Sequence, residues 1–537
     1  MNKNTTPKGY WCLVLHAHLP YIRHPEHEYF LEEDWFFEGL TECYIPILDF
    51  SERLLSEKIH FRFTIDLSPT LTSMMCDPLL QSRYLRYINK LIELSEKEVM
   101  RTRNTPQFHA VAKMYESRLK RCRELFEKYH NNVAMGFKYL QDAGVIEITT
   151  CCATHGFLPL MLDRRAQAAQ VRVGASYYQD IFGKKPEGIW LAECAYSKGV
   201  DEILKEEGLR YFFLDSHGTL FGTPRPKYGV FAPIAAPSGV AAFSRDMESA
   251  EQVWSAEQGY PGDSRYREFY RDLGYDLEYN YLKPYLHPDG IRRNLGLKYH
   301  RITGKVPLEN KEAYNPEWAK EAAAEHAGNF VFNRIHQIEH LNSILGKEPI
   351  VVSMYDAELF GHWWYEGPQF LDYIFRKIAY DQNVFQAITP SEYLKKFPQQ
   401  QMVQPCNSSW GDKGYYEVWL NGTNDWIYRH LHKIAEKMIH LSENAIHGSL
   451  SNIENRALNQ MAREVLLAQA SDWAFLMTAG TAPHYSEKRT RDHIHRFLTL
   501  EREFLEHHLN EEFLKECEHR DNIFPNINYR VFTAAGN

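Results

Sequence analysis

Short apolar segments that end on a polar residue recur along this 537-residue chain, and this pattern limits its fold more than any other feature. Most of the intervening segments have apolar residues at the three- and four-residue spacing of a helix. Strands that alternate with helices predict parallel βαβ units whose helices cover a sheet. Seven segments favour an incomplete α/β barrel over an open sheet, and they lie at 11–18, 59–66, 145–155, 188–194, 209–215, 239–246 and 348–358.

Two stretches interrupt the alternation and predict separate helical parts. Residues 78–142 are charged and helical in pattern and contain no strand-like segment, which indicates a helical insertion. From about residue 400 the helical spacing returns, which predicts a C-terminal helical bundle over 400–537. The barrel is then expected over 8–77 and 143–395. Two or three domains are also what the length of the chain leads us to expect.

Composition argues against several classes of partner. A net charge of −9 and a pI near 6.3 disfavour nucleic acid and anionic membrane surfaces. No apolar run approaches the roughly 18–20 residues of a membrane span, and MNKNTTPKGY lacks the apolar centre of a signal peptide. The nine cysteines are scattered without a CxxC pair, which predicts reduced thiols and a cytoplasmic protein. Nothing in the sequence indicates an oligomeric state.

Titratable residues stand at the ends of four of the predicted strands. HAHLPY places His16 and His18 on the same side of a strand, because side chains alternate with a period of two. CCATHGFLP supplies His155, and GIWLAECAY supplies Glu193. The carboxyl ends of barrel strands meet at one face, so these groups are expected to form one site. MYDAELFGHWWYEGP adds, at the fourth end, Asp356, Glu358, His362, Trp363 and Trp364.

Two chemistries fit these residues. A zinc hydrolase would bind its metal through His16, His18, His155 and Asp356 and would use Glu193 as a base. A glycosidase would use Glu193 and Asp356 as a pair of carboxyl groups, one attacking the anomeric carbon and the other exchanging a proton. The neighbouring tryptophans favour the glycosidase, because sugar rings stack on indole faces and metal sites have no need of them.

Five motifs carry a resemblance to a known family. In chain order HAHLPY, CCATHGFLP, GIWLAECAY, MYDAELFGHWW and TPSEYL resemble the five sequence regions of glycoside hydrolase family 57, and most closely those of its 1,4-α-glucan branching enzymes. The resemblance implies an incomplete (β/α)7 barrel with an inserted helical domain and a C-terminal helical domain. It also implies an α-glucan substrate and a retaining mechanism without a metal or other cofactor.

The resemblance further implies roles for individual residues. Glu193 matches the nucleophile and Asp356 the general acid/base, whose carboxyl groups should then lie about 5–5.5 Å apart. His16, His18 and His155 match residues that line the subsite of the glucosyl unit. Trp363, beside the acid/base, is expected to be a sugar platform. Further substrate contacts are implied at Arg245, Gly262, Trp410, Trp419 and Asp472.

One stretch departs from the branching pattern. Branching members carry a long loop with a tyrosine needed for transfer, whereas here residues 216–239 are short and Tyr228 is their only tyrosine. A lid that excludes water decides whether a sugar or water takes over the glycosyl-enzyme. An α-amylase-like hydrolase therefore stays open beside the branching enzyme, and the zinc hydrolase stays open as a more distant alternative. A non-catalytic glucan-binding protein is disfavoured, because binding alone does not require both carboxylates.

Overall fold

A computed structural model describes residues 6–255, 259–446 and 448–533 of the chain. Its parallel strands are buried on both faces, as expected for a sheet that helices cover on one side and a packed interior fills on the other. The strands are β1 (Gly9–Ala17), β2 (Phe63–Leu67), β3 (Ile146–Cys151), β4 (Gly188–Trp190), β5 (Tyr211–Leu214), β6 (Ile234–Ala235), β7 (Ala241–Ser244), β8 (Ile350–Asp356), β9 (Phe385–Ala387) and β10 (Gln401–Met402).

The sheet is curled and runs in the order β10-β6-β7-β5-β4-β3-β2-β1-β8, with β9 also paired to β1. Pairing is parallel except between β6 and β7. The strands β7 and β8 approach each other at the open side, where the Asp246 N–H donates to the Val352 carbonyl at 2.8 Å. Seven parallel strands in this ring make an incomplete (β/α)7 barrel, which confirms the predicted fold class.

Strand register puts three of the polar strand ends at the same level. His16 on β1 lies opposite Asp66 on β2 and opposite Asp356 on β8. The β8 strand is buried from Ile350 to Tyr355 and becomes exposed only at Asp356. The apolar sequence therefore fixes the strand in the barrel and delivers its carboxyl group to the mouth.

Helices cover the outside of the sheet and begin and end at residues suited to those positions. The longest, Pro316–Leu345, is capped by the Asn315 side chain and stops at Gly346, whose φ of 62° suits glycine. The helices are α1 (Glu33–Gly39), α2 (Ile45–Ser56), α3 (Pro69–Cys76), α4 (Pro78–Arg101), α5 (Pro106–Lys128), α6 (Val133–Asp142), α7 (Arg164–Phe182), α8 (Val200–Glu206), α9 (Ser216–Leu220), α10 (Met247–Trp254), α11 (Leu273–Asp276), α12 (Tyr279–Leu282), α13 (Pro316–Leu345), α14 (Gly367–Tyr380), α15 (Pro390–Lys396), α16 (Tyr428–Ala445), α17 (Asn452–Ala468), α18 (Ser471–Ala479), α19 (Pro483–Leu505) and α20 (Glu511–Arg520).

Two helical regions accompany the barrel. Residues 78–142 contain α4, α5 and α6, of which α4 and α5 pack on each other and α6 packs on β3. The C-terminal region contains α16 to α20, with α17 and α18 packed against α19. Backbone hydrogen bonds join this region to the barrel, among them Ser471 N to the His155 carbonyl at 2.9 Å. The domain boundaries proposed from the sequence stay predictions, and residues 447 and 534–537 lie outside the described residues.

Each of the seven predicted strand segments overlaps a strand of the sheet. The short strands β6, β9 and β10 were not predicted, because two or three residues give no readable periodicity. In the described part of the chain no helix combines the length and apolarity that crossing a membrane requires. The nine cysteines are all unpaired.

Candidate active site

Glu193 lies in a tight turn directly after β4. The strand ends at Trp190, and residues Ala192–Cys194 form one 3-10 turn in which Glu193 has φ 60° and ψ 24°. This left-handed conformation costs roughly 1–2 kcal/mol for a residue with a Cβ. The Trp410 N–H donates to the Glu193 carbonyl at 2.9 Å and helps to hold the turn. The strained turn points the carboxyl group of Glu193 into the barrel mouth.

Both oxygens of the Glu193 carboxyl group accept a hydrogen bond. The Trp410 indole Nε1 donates to Oε2 at 2.9 Å, and the Ser471 hydroxyl donates to Oε1 at 3.1 Å. Burial raises the pKa of Glu193 to about 7; the charges of Asp472 and Asp356 add to the rise, while the Trp410 bond and His18 oppose it. Glu193 is therefore a fixed carboxyl group that ionises near neutral pH.

Asp356 has very different surroundings. It is the last residue of β8 and is open to the cleft, and its carboxyl group accepts no hydrogen bond from the described part of the chain. The protein around the cleft nevertheless desolvates it and raises its pKa, against the lowering effects of His16, Arg245 and His18. The arrangement leaves Asp356 free to exchange a proton with a bound molecule.

Three histidines form a stack beside the two carboxyl groups. The rings of His18 and His155 lie 3.8 Å apart and 15° from parallel, and the His16 ring stacks on Trp190 at 4.6 Å. His18 Nε2 contacts both carboxylate oxygens of Asp472 at 3.0 and 3.1 Å. These contacts fix the orientation of each imidazole before a ligand binds.

The three imidazoles differ in charge. Burial and the neighbouring His18 lower the pKa of His16 to about 3, and the same effects, with His16 added, hold that of His155 well below its usual value. Burial also opposes ionisation of His18, but the charge and hydrogen bond of Asp472 outweigh it and raise the pKa of His18. His16 and His155 are thus neutral at physiological pH, and His18 carries the positive charge most readily.

Within this site His18, His155 and Asp472 could form a metal-binding set, each with one potential ligand atom within 4.8 Å of the others. The zinc alternative from the sequence named His16 and Asp356 in place of Asp472. His18 and His155 stack nearly parallel, so their nitrogen lone pairs run side by side and do not converge on one ion. The geometry therefore favours hydrogen bonding to a polyhydroxyl ligand over tetrahedral zinc coordination.

A second buried carboxyl group lies beside Asp356. The Tyr44 hydroxyl donates to Oε1 of Glu358, and the His18 N–H lies 3.4 Å from the same oxygen. Burial and the charge of Asp356 raise the pKa of Glu358 to about 8, against the Tyr44 bond and His18. Tyr44 ends a π-helical turn, a local distortion that is frequent at functional sites.

An aromatic surface continues from Asp356 toward solvent. The Trp363 side chain is 57% exposed and stacks on Phe269 at 4.6 Å, with 21° between the ring planes. Tyr270, which is 69% exposed, follows Phe269 edge-on at 5.1 Å. Trp364, in contrast, is buried among core residues. Trp363 thus has the open face that a sugar platform needs.

Comparison with known proteins agrees with this geometry. The sequence profile of glycosyl hydrolase family 57 matches residues 12–338, which is more than half of the chain. The 1,4-alpha-glucan branching enzyme of Thermococcus kodakarensis is 32% identical, and the match covers 96% of this chain and 77% of that protein. The chain belongs to glycosyl hydrolase family 57.

Other matches extend the family assignment to the rest of the molecule. The profile of the C-terminal region of 1,4-alpha-glucan branching enzymes matches residues 430–532. The alpha-amylase AmyC from Thermotoga maritima is 46% identical in sequence to this chain. Its crystal structure superposes on this one with a TM-score of 0.92, and the match covers 98% of this chain and 99% of that chain. The family 57 branching enzyme of Pyrococcus horikoshii is 33% identical with a TM-score of 0.87, covering 98% and 97%.

The remaining site residues predicted for this family 57 enzyme have distinct positions. Arg245 lies 3.4 Å from Asp215, and its buried Nε has no hydrogen-bond partner in the described chain, so a donor remains for a ligand. Trp419 is 1% exposed and packs on Phe157 at 4.7 Å, so it has no open face. Gly262 ends a 3-10 turn that packs on α10. Substrate contact by Trp419 and Gly262 stays a prediction.

Two residues of the site escaped the sequence reasoning. Asp66 is the last residue but one of β2 and contacts His16 Nδ1 at 2.6 Å, and Ser471 bonds both His155 and Glu193. Asp66 closes the apolar segment 59–66 in the same way as Glu193 closes its own, so the strand-end rule could have found it. Ser471 could have been found only through its neighbour Asp472.

The short stretch 216–239 is tied down at the opposite side of the barrel. Thr223 exchanges backbone hydrogen bonds with Gln404 at 3.0 and 2.8 Å. The ring of Tyr228 lies 4.6 Å from Lys347 Nζ, close to the start of β8, whereas the site lies at the strand's other end. In this conformation Tyr228 is remote from Glu193 and Asp356.

Proposed function

We propose that this family 57 enzyme is a 1,4-α-glucan branching enzyme that cleaves α-1,4 links and transfers the released segment to a 6-hydroxyl. The observation that carries the proposal is the pair of unlike carboxyl groups at the ends of β4 and β8. Glu193 is held by two donors, and Asp356 is open and unbonded within the described chain. A retaining glycosidase needs one carboxyl group of each kind.

Glu193 is the proposed nucleophile. Its ionised form is favoured by the Trp410 and Ser471 donors and is aimed by a rigid turn. Attack on the anomeric carbon breaks the bond to the glycosidic oxygen and forms a glycosyl ester. Holding the carboxylate in place before the reaction reduces the entropy that the transition state must lose.

Asp356 is the proposed general acid and base. It gives its proton to the departing glycosidic oxygen, and its raised pKa keeps that proton available. In the second step the Asp356 carboxylate takes the proton of the incoming 6-hydroxyl, whose oxygen attacks the anomeric carbon and releases Glu193. A separation of about 5–5.5 Å between the two carboxyl groups is expected for this retaining course.

The histidines are proposed to line the subsite of the glucosyl unit. Both ring nitrogens of His18 have protein partners, Asp472 and Ser68, and its raised pKa favours the charged ring beside the bound sugar. Arg245 has a buried donor without a partner in the described chain and its charge acts on Asp356, and Trp363 gives an open ring face for a further sugar unit. The substrate class that fits these groups is an α-glucan, and the proposed reaction uses no metal or cofactor.

Hydrolysis is a second candidate outcome of the same chemistry. The match of residues 430–532 to the branching-enzyme C-terminal profile supports transfer. The position of Tyr228 beside Lys347, far from the site, instead favours water as the acceptor, because in this conformation Tyr228 does not cover the glycosyl ester. The similarity to the Thermotoga maritima alpha-amylase supports the same alternative.

The test is proton NMR of amylose incubated with the purified enzyme, with Glu193→Gln as the inactive control. New α-1,6 anomeric signals in excess of new reducing ends are expected for the branching enzyme. An excess of reducing ends would make the enzyme a hydrolase and assign the cause to residues 216–239. If neither product forms, the proposal fails, and the next assay is activity with and without added zinc.

A further inference from the structure

Four consecutive hydrogen bonds connect Asp66 to Glu193 through three residues: His16 on β1, His155 in the loop after β3 and Ser471 at the start of α18. Asp66 Oδ2 lies 2.6 Å from His16 Nδ1, and His16 Nε2 lies 3.1 Å from His155 Nε2. His155 Nδ1 lies 2.8 Å from Ser471 Oγ, which lies 3.1 Å from Glu193 Oε1. The chain starts at the fully buried Asp66 and ends at the cleft.

The chemistry of the linking groups requires that the hydrogen bonds of this chain all run in one direction. A neutral imidazole donates from one nitrogen and accepts at the other, and a serine hydroxyl donates one proton. His16 and His155 are both neutral, because each is buried beside the more readily charged His18. If every bond is made, all donors point the same way, so one terminal carboxyl group must supply a proton and the other must accept a hydrogen bond.

We propose that Asp66 and Glu193 share a single proton through His16, His155 and Ser471, and that Asp66 holds it while Glu193 acts as the nucleophile. This inference rests on the proposed role of Glu193 and adds four positioning residues to it. It assigns Asp66 a task that a merely structural aspartate would not have: it keeps a proton away from the nucleophile in a site that water reaches poorly.

The proton balance of the exchange needs no further reactant. When Glu193 starts protonated, its proton passes to Ser471 Oγ while the serine proton passes to His155 Nδ1. The proton on His155 Nε2 passes to His16 Nε2, and the proton on His16 Nδ1 passes to Asp66 Oδ2. Both histidines change tautomer, and the negative charge moves from Asp66 to Glu193.

The surroundings favour the charge on Glu193. Its other oxygen accepts from the Trp410 indole, and its side chain is 15% exposed, whereas Asp66 is fully buried and its other oxygen, Oδ1, has a long 3.5 Å contact from Thr149. The charged groups that face Glu193 are Asp472 and Asp356, which oppose ionisation, and His18, which favours it. Burial holds the pKa of Asp66 well above its usual value, although the charge of His18 and the Thr149 bond act in the opposite direction.

A spectroscopic experiment tests the hydrogen-bond chain without measuring activity. Its result is therefore valid even if Glu193 is not the nucleophile. Infrared spectra of the full chain and of Asp66→Asn are subtracted, with Glu193→Gln as the matched control. We expect the Asp66→Asn difference to contain the band of a protonated carboxylic acid. A carboxylate band in its place would mean that Asp66 is ionised and would overturn the proposal.

Nitrogen NMR of protein labelled at its histidines is a second, independent test, because it shows which ring nitrogen carries the proton. The proposed direction requires His16 to be protonated at Nε2 and His155 at Nδ1. The opposite pair of tautomers would put the proton on Glu193 and overturn the proposal. Assignment uses His16→Gln and His155→Gln, each checked for folding by its thermal unfolding.

The pH dependence of kcat/KM in Ser471→Ala and Ser471→Thr tests whether the hydrogen-bond chain affects the reaction. Ser471→Ala removes a hydrogen-bond donor to the ionised Glu193 and so raises the pKa of Glu193. The acid limb of the kcat/KM profile should therefore move to higher pH. At pH values below that limb, kcat/KM should fall about 10- to 100-fold. Ser471→Thr keeps the hydroxyl and should restore the limb. An unshifted limb in folded, glucan-binding Ser471→Ala would contradict the proposal, whereas an enzyme whose rate does not depend on Glu193 at all would contradict the proposed function.

Discussion

Two regions of the molecule place histidines among carboxyl groups, and they differ in what surrounds them. The open cluster at the barrel mouth comprises His16, His18, His155, Glu193 and Asp472. The sealed cluster in the C-terminal region comprises Glu464, His493, Asp521, Arg489 and Arg496.

In the sealed cluster every carboxyl group faces a protein cation or amide. His493 Nδ1 contacts Glu464 at 2.7 Å, and Arg496 contacts Asp521 at 2.6 Å. The side chains of Glu464, His493 and Asp521 are at most 1% exposed. Burial depresses the pKa of His493 and raises those of both acids. These groups stabilise the packing of α17 against α19.

The open cluster uses the same residue types with two differences. Its carboxyl group Glu193 is partly accessible, and its neighbour Asp356 has no hydrogen bond within the described chain. A perturbed pKa alone therefore does not mark the catalytic region, because both clusters have one. Access to the cleft and an unused hydrogen-bonding valence distinguish the site.

The largest effect should come from Glu193→Gln. The amide keeps the shape of the side chain but cannot attack, so we expect kcat to fall by at least about 10⁴-fold. Glucan affinity, measured by calorimetry, should stay close to that of the parent enzyme. Complete loss of binding in a folded variant would speak against Glu193 as the nucleophile.

We expect a substitution in the sealed cluster to change the stability of the protein and not its activity. His493→Ala removes a buried hydrogen-bond partner of Glu464, while Arg496 still contacts Asp521, and we expect the free energy of unfolding to fall by about 1–3 kcal/mol. Activity per folded molecule should be unchanged. Denaturant titration of this variant is compared with that of His440→Ala, whose exposed side chain should matter little. A lowered kcat in folded His493→Ala would break the distinction between the two clusters.

The pH dependence of kcat/KM should report the open cluster. Burial raises the pKa of Glu193 to about 7, and attack requires the ionised form. The value of kcat/KM should therefore fall about tenfold per pH unit as the pH drops below about 7. Burial also raises the pKa of Asp356, so protonated Asp356, the form that the first step needs, persists to higher pH than for an ordinary aspartate. A flat profile between pH 5 and 7 would argue against this assignment.

The smallest effect is expected at the aromatic surface. Trp363→Ala removes an exposed ring, and a lost stacking contact of about 0.5–1.5 kcal/mol should raise KM about two- to tenfold with little change in kcat or in unfolding. Trp473, fully buried in the C-terminal region, gives the contrast. Trp473→Ala should lower stability by about 3–5 kcal/mol. An unchanged KM in Trp363→Ala would show that Trp363 is not part of the proposed sugar platform.

The sequence by itself determined the barrel and one face of its site. Short apolar segments and helical spacing are local patterns, so the seven strands could be found without knowing their neighbours. His16, Glu193 and Asp356 were found for the same reason, because a residue at the carboxyl end of a barrel strand lies at the mouth whatever the rest of the chain does. The unpredicted β6, β9 and β10 are too short to have a period.

Only the tertiary structure decided how these groups are held. Ser471 bonds Glu193 across 278 residues, and Asp472 bonds His18 across 454. Such contacts depend on how α18 docks on the barrel, and no local periodicity encodes that docking. Trp419 and Trp363 look alike in sequence, yet one is sealed beneath a loop and the other is open, because burial is set by the whole fold. The charge on each histidine follows from the same packing, which fixes the neighbours that share its low-dielectric surroundings.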